Sequence, residues 1–161
     1  SGTCPAGTAI SYKVNDTTTQ DFYVLKDNGS TLTLISKDSV VSSVWDSSGN
    51  TINGPRTATQ ALENATKEWT NLSMNTYNEK TGIARRARLI TKQEAEFLGC
   101  RAYETSCPIW LADGGSYHWV SSAYVSSSEL AWAITNSNLR YLDGYSVLNL
   151  YAVRAVIDID K

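Results

Sequence analysis

Arg88-Leu89-Ile90-Thr91-Lys92-Gln93-Glu94-Ala95-Glu96 decides how the chain divides. Thr91 and Glu94 match a capping box, in which hydroxyl and carboxylate each satisfy a free amide at a helix start. Ala95, Leu98 and Phe97 supply an inward face, and Gly99 is placed to end the helix. Upstream, Gly54-Pro55 breaks the chain. Ala58, Ala61, Leu62, Ala65 and Trp69 then recur at helical spacing, with Thr57 as N-cap, which predicts a first helix to about Asn71. Residues 73 to 82 read as a polar connection between the two helices.

Strand signals lie on either side of this helical middle. Residues 8 to 14 alternate weakly. Phe22 and Val24 share one parity, as do Leu32 and Leu34, and Asn28-Gly29 between them predicts a hairpin with positive φ at both turn positions. Asp38 to Asn53 reads as a strand or loop ending in turn residues. Pro108 to Leu111 reads as a short buried segment, followed by a turn at Asp113-Gly114-Gly115. The last strand runs from Val153 to Ile159, with Val153, Ala155, Ile157 and Ile159 on one face. Strands, two helices, then strands predict an α+β domain in which two helices pack on short antiparallel sheets and the N- and C-terminal strands pair. No linker or repeat interrupts residues 1–161, so one domain is expected.

Composition narrows the functional classes. Apolar residues make 42% of the chain and charged residues 19%, as in a globular protein. The net charge of −2, from 14 basic and 16 acidic residues, argues for no nucleic-acid partner; Arg85, Arg86 and Arg88 read as a solvated face. No apolar run reaches 18 residues, so no membrane insertion is expected. The start at Ser1-Gly2 reads as a processed or excised domain. Cys100 and Cys107 are close enough in sequence to be bridged, which would fit an oxidising compartment; three unrelated buried thiols are the alternative. Cys4 is then unpaired, or linked to something outside these residues.

No catalytic or metal constellation stands out. His118 is the only histidine, and between Tyr117 and Trp119 it reads as a packed side chain. One His and three scattered Cys make no zinc pattern. A Gly-rich phosphate loop is missing, and Asp46-Ser47-Ser48-Gly49-Asn50 lacks the spacing and closing Glu of an EF-hand. No cofactor and no enzymatic activity are expected. Asn15, Asn28, Asn64 and Asn71 each begin an Asn-x-Ser/Thr site.

Tyr117 to Tyr151 is the stretch with binding character. It holds five Tyr, seven Ser and three Asn in 35 positions. That is the palette of an antibody paratope, in which Tyr supplies rigid amphipathic area and Ser and Asn supply adaptable hydrogen bonds. Trp119, Val120, Ala131, Trp132 and Ile134 read as scaffold between the displayed residues. The expected ligand contacts are Tyr117, Tyr124, Ser126, Ser128, Asn136, Asn138, Arg140, Tyr141, Tyr145, Ser146, Asn149 and Tyr151. A wet Ser-rich loop, with Tyr rings filling gaps beneath it, is the plainer reading of the same composition.

The segment Arg88 to Glu96, followed by Val153-Arg154-Ala155-Val156, resembles a bacterial and phage branch of the C-type lectin-like proteins. There a helix opens with an Arg-Leu-Pro-Thr-x-x-Glu-type segment and the domain ends in a Gly-x-Arg-Pro-Val-type strand. The branch includes formylglycine-generating enzymes, ligand-binding domains of bacterial surface proteins, and variable proteins diversified by retroelements. Cys107-Pro108, Trp110, Tyr117, Trp119, Ser121-Ser122 and Ala131-Trp132 look most like the surface and variable-protein members. Ile90, Ala152 and Ala155 depart from the pattern. The enzyme members carry a redox Cys pair late in the domain, and no Cys follows Cys107 here. Calcium-dependent sugar motifs are also missing. The resemblance implies a C-type lectin-like fold and a recognition or adhesion domain whose 117–151 face meets a protein or glycan ligand. It implies an extracellular setting, at a cell surface or on a phage virion, within a larger surface assembly. The alternatives are the structural head of a pilin-like or tail-fibre subunit and, further off, a formylglycine-generating type of enzyme.

Overall fold

The computed structural model describes residues 3–77, 84–112 and 115–161. Eleven strands and two helices follow one another among them: β1 Ala9–Lys13, β2 Thr19–Asp27, β3 Thr31–Ser36, β4 Val41–Ser43, α1 Arg56–Thr66, β5 Asn75–Thr76, β6 Ala84–Arg85, α2 Lys92–Phe97, β7 His118–Ala123, β8 Leu130–Ile134, β9 Leu142–Ser146, β10 Tyr151–Val153 and β11 Val156–Asp160. One sheet has the order β1-β2-β3-β11 and a second the order β4-β10-β7-β8-β9; β5 and β6 form a separate pair.

This corrects the α+β expectation. The chain is 37% strand and 11% helix, a mostly β protein with two short helices. α1 places Ala58 and Leu62 in the core, but α2 has six residues and only Ala95 fully buried. Neither helix forms a layer over a sheet. The terminal strands do not pair either: β1 and β11 occupy opposite edges of the four-stranded sheet, with β2 and β3 between them. β3 takes β11 as its second partner because Leu32, Leu34 and Ile35 bury both of its faces.

Local expectations fare unevenly. The Thr91–Glu94 capping box forms as read, and Arg88 adds a two-pronged ion pair to the same carboxylate at 2.7 and 2.8 Å. Burial alone would raise the Glu94 carboxyl; the Arg88 hydrogen bonds and charge outweigh it and hold the group below its ordinary value. Gly99, with φ 106°, lies just beyond the end of α2. Thr57 is not a cap. Pro55 stands at the start of α1 without a side-chain cap, and the Thr57 hydroxyl accepts from the Ser47 amide at 2.8 Å. α1 ends at Thr66 and not near Asn71. The hairpin at Asn28-Gly29 is present, yet only Gly29 takes positive φ, since the connection runs from Asn28 through Ser30. Ile109, within a segment expected to be buried, is 68% exposed. The expected connection over 73–82 falls partly, and the turn at 113–115 mostly, outside the described residues.

The terminal strand also divides. Val153 ends β10 in the five-stranded sheet and Val156 opens β11 in the four-stranded sheet, so the chain changes sheets across Arg154-Ala155. Arg154 is buried there. Its Nε donates to Ser36 O at 2.8 Å and its Nη1 donates to Leu111 O. The Ala155 amide donates to Ser36 Oγ at 2.9 Å.

Two apolar clusters hold the sheets. The larger gathers Phe22, Val24, Leu34, Trp45, Leu62, Trp119, Ala131, Ala133 and Ile157. The smaller gathers Leu25, Ile35, Ile90, Val120, Trp132, Ile134, Leu142 and Val156. Adjacent residues such as Leu34 and Ile35 belong to different clusters, as the period-two alternation of a strand requires.

Cys100 and Cys107 form a disulfide, with Cα atoms 4.2 Å apart. It fits an oxidising, non-cytoplasmic setting. Cys4 is a free, half-buried thiol. Among the described residues no helix is long and apolar enough to cross a membrane.

Candidate functional site

The hairpins β7–β8–β9 carry aromatic groups on both faces, and the two groups are built differently. On the face shared with the larger core, Tyr145 stands opposite Ala131 and Asp143 opposite Ala133. Both alanines are fully buried. Tyr145 and Tyr151 pack against the larger core, and Tyr117 contacts both. Their ring centroids are 5.2 Å apart for Tyr117–Tyr145, 5.4 Å for Tyr117–Tyr151 and 5.5 Å for Tyr145–Tyr151. Tyr151 rests on buried Trp119 at 4.8 Å, and Asn149 Nδ2 donates to its hydroxyl at 3.0 Å. All three tyrosines are half-buried. Burial raises the Tyr145 hydroxyl well above its ordinary value, and the nearby Asp143 charge and Tyr117 reinforce the shift. Burial also raises Tyr151. The Tyr145 and Tyr151 phenols stay protonated at physiological pH.

The opposite face is a closed plug. Tyr124 packs on Trp132 with centroids 4.6 Å apart, and its ring lies where a Cβ at Gly144 would project. Glycine is therefore needed opposite Trp132 in the β8–β9 register. Tyr103, with φ 61°, hydrogen-bonds Tyr124 hydroxyl to hydroxyl, and Lys92 Nζ sits 4.9 Å from the centre of the Trp132 ring. This cluster binds the disulfide loop and α2 to the sheet.

The residues expected to contact ligand thus separate. Tyr117, Tyr145, Asn149 and Tyr151 come together; Tyr141 shares their strand parity just before β9, its amide held by Thr135 Oγ1 at 3.0 Å. Tyr124 belongs to the opposite face. Ser126 and Ser128 are exposed in the β7–β8 connection. Asn136 accepts from the amides of Asn138 and Leu139 and so shapes a turn, on which Asn138 is exposed. Arg140, with φ 51°, donates to Cys107 O at 3.1 Å and accepts from the amides of Ser106 and Cys107. Ser146 Oγ accepts from the Leu148 amide. Asp143 was missed by residue type, although its parity with Tyr145 in a strand places it on the same face.

His118 is buried with its Nε2 lacking a hydrogen-bond partner among the described residues. Burial, then the Arg154 charge, depresses its pKa well below 6.5. The unfolded chain therefore takes up the proton first, and stability falls as pH drops below about 6.5. The largest slope one such group allows is about 1.4 kcal/mol per pH unit. Asp27 and Glu94 are held below their ordinary values and add their losses at lower pH, Asp27 between 3.8 and about 2. Urea unfolding at pH 7.5, 6.0 and 5.0 should show a decline that is much flatter in His118→Leu. An equal slope in both proteins would assign the decline to other groups.

No family model, curated protein or solved structure matches the chain.

Proposed function

We propose that the chain is a recognition domain that binds a protein or glycan ligand outside the cytoplasm, at a cell surface or on a virion, through the face built on Tyr117, Tyr145 and Tyr151. One observation carries the reading: three half-exposed tyrosines converge beside a carboxylate, next to strands whose scaffold residues are buried. Tyrosine is suited to such work because it offers large contact area with few rotatable bonds and a polar tip. The division of labour between buried Trp119, Ala131, Trp132 and Ile134 and the displayed tyrosines is the one the variable-protein resemblance implies. Kinship with retroelement-diversified surface or phage proteins remains part of the proposal; it rests on the residues of the Arg88–Glu96 and Val153–Val156 segments. A near-identical template repeat beside a reverse transcriptase gene would support it.

The test is Tyr117→Ser with Tyr145→Ser. The double variant should remain folded, losing about 1–2 kcal/mol of ring packing. Its binding to the cell-surface ligand that a screen with the unaltered protein identifies should fall at least about tenfold, a loss of about 1.4 kcal/mol or more. Normal binding by a folded double variant would move the recognition face elsewhere.

A further inference from the structure

Asp143 is half-buried, and among the described residues no basic side chain pairs with it. The Gly144 amide donates to its Oδ1 at 2.7 Å, and the Tyr145 hydroxyl hydrogen-bonds the same carboxylate. A carboxylate loses hydration when it is half-buried, so a compensating positive group is favoured beside it. The three tyrosines around it add the negative faces of their rings.

Three other aromatic rings of the chain have one of the protein's own cations beside them. Lys26 lies 5.7 Å from the Phe97 ring centre, Arg88 lies 5.6 Å from that of Tyr77, and Lys92 lies 4.9 Å from that of Trp132. In each case the protein supplies its own cation. Among the described residues no such cation lies over the Tyr117, Tyr145 and Tyr151 rings, and the Asp143 carboxylate stands beside them. Its shape also selects. The rings are tilted by 51°, 55° and 87° to one another, which makes a cup in place of the flat platform that a sugar ring stacks on.

We propose that Asp143, Tyr117, Tyr145 and Tyr151 form a subsite for an organic cation, the ammonium or guanidinium group of a lysine or arginine side chain on a protein ligand. This rests on the reading of the same face as the recognition surface and names the chemistry it takes. The cation approaches the Asp143 carboxylate while its alkyl stem lies against the tyrosine rings, so charge and apolar area are both used. Asn149, hydrogen-bonded to the Tyr151 hydroxyl, holds that ring in place.

The experiment titrates the full chain with N-acetyl-lysine amide, N-acetyl-arginine amide, the uncharged N-acetyl-norleucine amide, choline and methyl β-glucoside, following the tyrosine ring signals by NMR. The lysine and arginine amides should shift Tyr117, Tyr145 and Tyr151, and should bind at least about tenfold more tightly than the norleucine amide. Asp143→Asn, which keeps an acceptor for the Gly144 amide, should remove most of that difference. Equal binding of the lysine and norleucine amides overturns the cation subsite, as does undiminished cation binding by Asp143→Asn. Choline binding more tightly than both amino-acid amides overturns the assignment to a protein side chain. A shift with the glucoside alone overturns the cation and leaves the recognition face standing. That face fails separately, if the Tyr117→Ser, Tyr145→Ser protein binds the screened surface ligand normally.

Discussion

Trp119→Ala is expected to lower the unfolding free energy by about 4 kcal/mol, in the range of buried aromatic truncations. The indole is 1% exposed and lies in the larger core, and its Nε1 donates to Ser43 O at 2.9 Å. A reciprocal bond runs the other way, from Trp45 Nε1 to Val120 O at 2.9 Å. Strand β10 separates β4 from β7 in the sheet, so the two indoles join the β4 segment to β7 past an intervening strand. Removing Trp119 opens a cavity and leaves a carbonyl without this donor. Trp119→Phe should cost less, about 1–2 kcal/mol, because it keeps much of the ring and loses the N–H. Urea unfolding measures both. A change below about 1 kcal/mol in the alanine variant would contradict the packing described.

Arg154→Met is expected to cost about 3 kcal/mol, although the stem of the side chain is kept. The loss comes from Ser36 O and Leu111 O, two acceptors that Arg154 serves in a buried place. Arg154→Lys should recover little, because a single ammonium cannot reproduce the fork that reaches both carbonyls. Thermal and urea unfolding of the two variants should give similar losses. Full stability in Arg154→Lys would show that charge alone, and not the fork, is what the crossing between sheets needs.

Local chemistry was legible wherever a few adjacent residues decide the outcome. The Thr91–Glu94 box, the Gly99 stop and the Cys100–Cys107 bridge depend on short-range geometry that residue type reveals. Fold class was not legible, because it depends on how much of the chain joins sheets. Short strands such as β4 and β10 have three residues each, too few to show a period, and they exist because β10 finds partners on both sides. The apolar run from Val153 to Ile159 looked like one strand, since Arg154-Ala155 carries no turn residue. A buried arginine makes the break there, and its partners lie 118 and 43 residues away in sequence. At the candidate site the tyrosines could be picked out by type. Their grouping could not, because Tyr117, Tyr145 and Tyr151 meet through strand order; Tyr124, of the same type, faces the opposite way.

Asp27 joins the two ends of the described chain. Its carboxylate accepts from the Cys4 amide and from Lys161 Nζ, each at 2.7 Å, at the end of the sheet where β2 turns toward β3. The Lys161 hydrogen bond, then those from the Cys4 and Gly29 amides, lower its pKa to about 2. Tension applied between these ends therefore pulls across the strands and not along them. The Asp27 junction yields first, and β11 then peels from β3 one pair of bonds at a time, beginning at Asp160 and Thr31. A domain loaded in this way opens like a zipper at low force. The tyrosine face lies in the other sheet, and the buried Arg154 crossing stands between the peeling β11 and Tyr151 on β10.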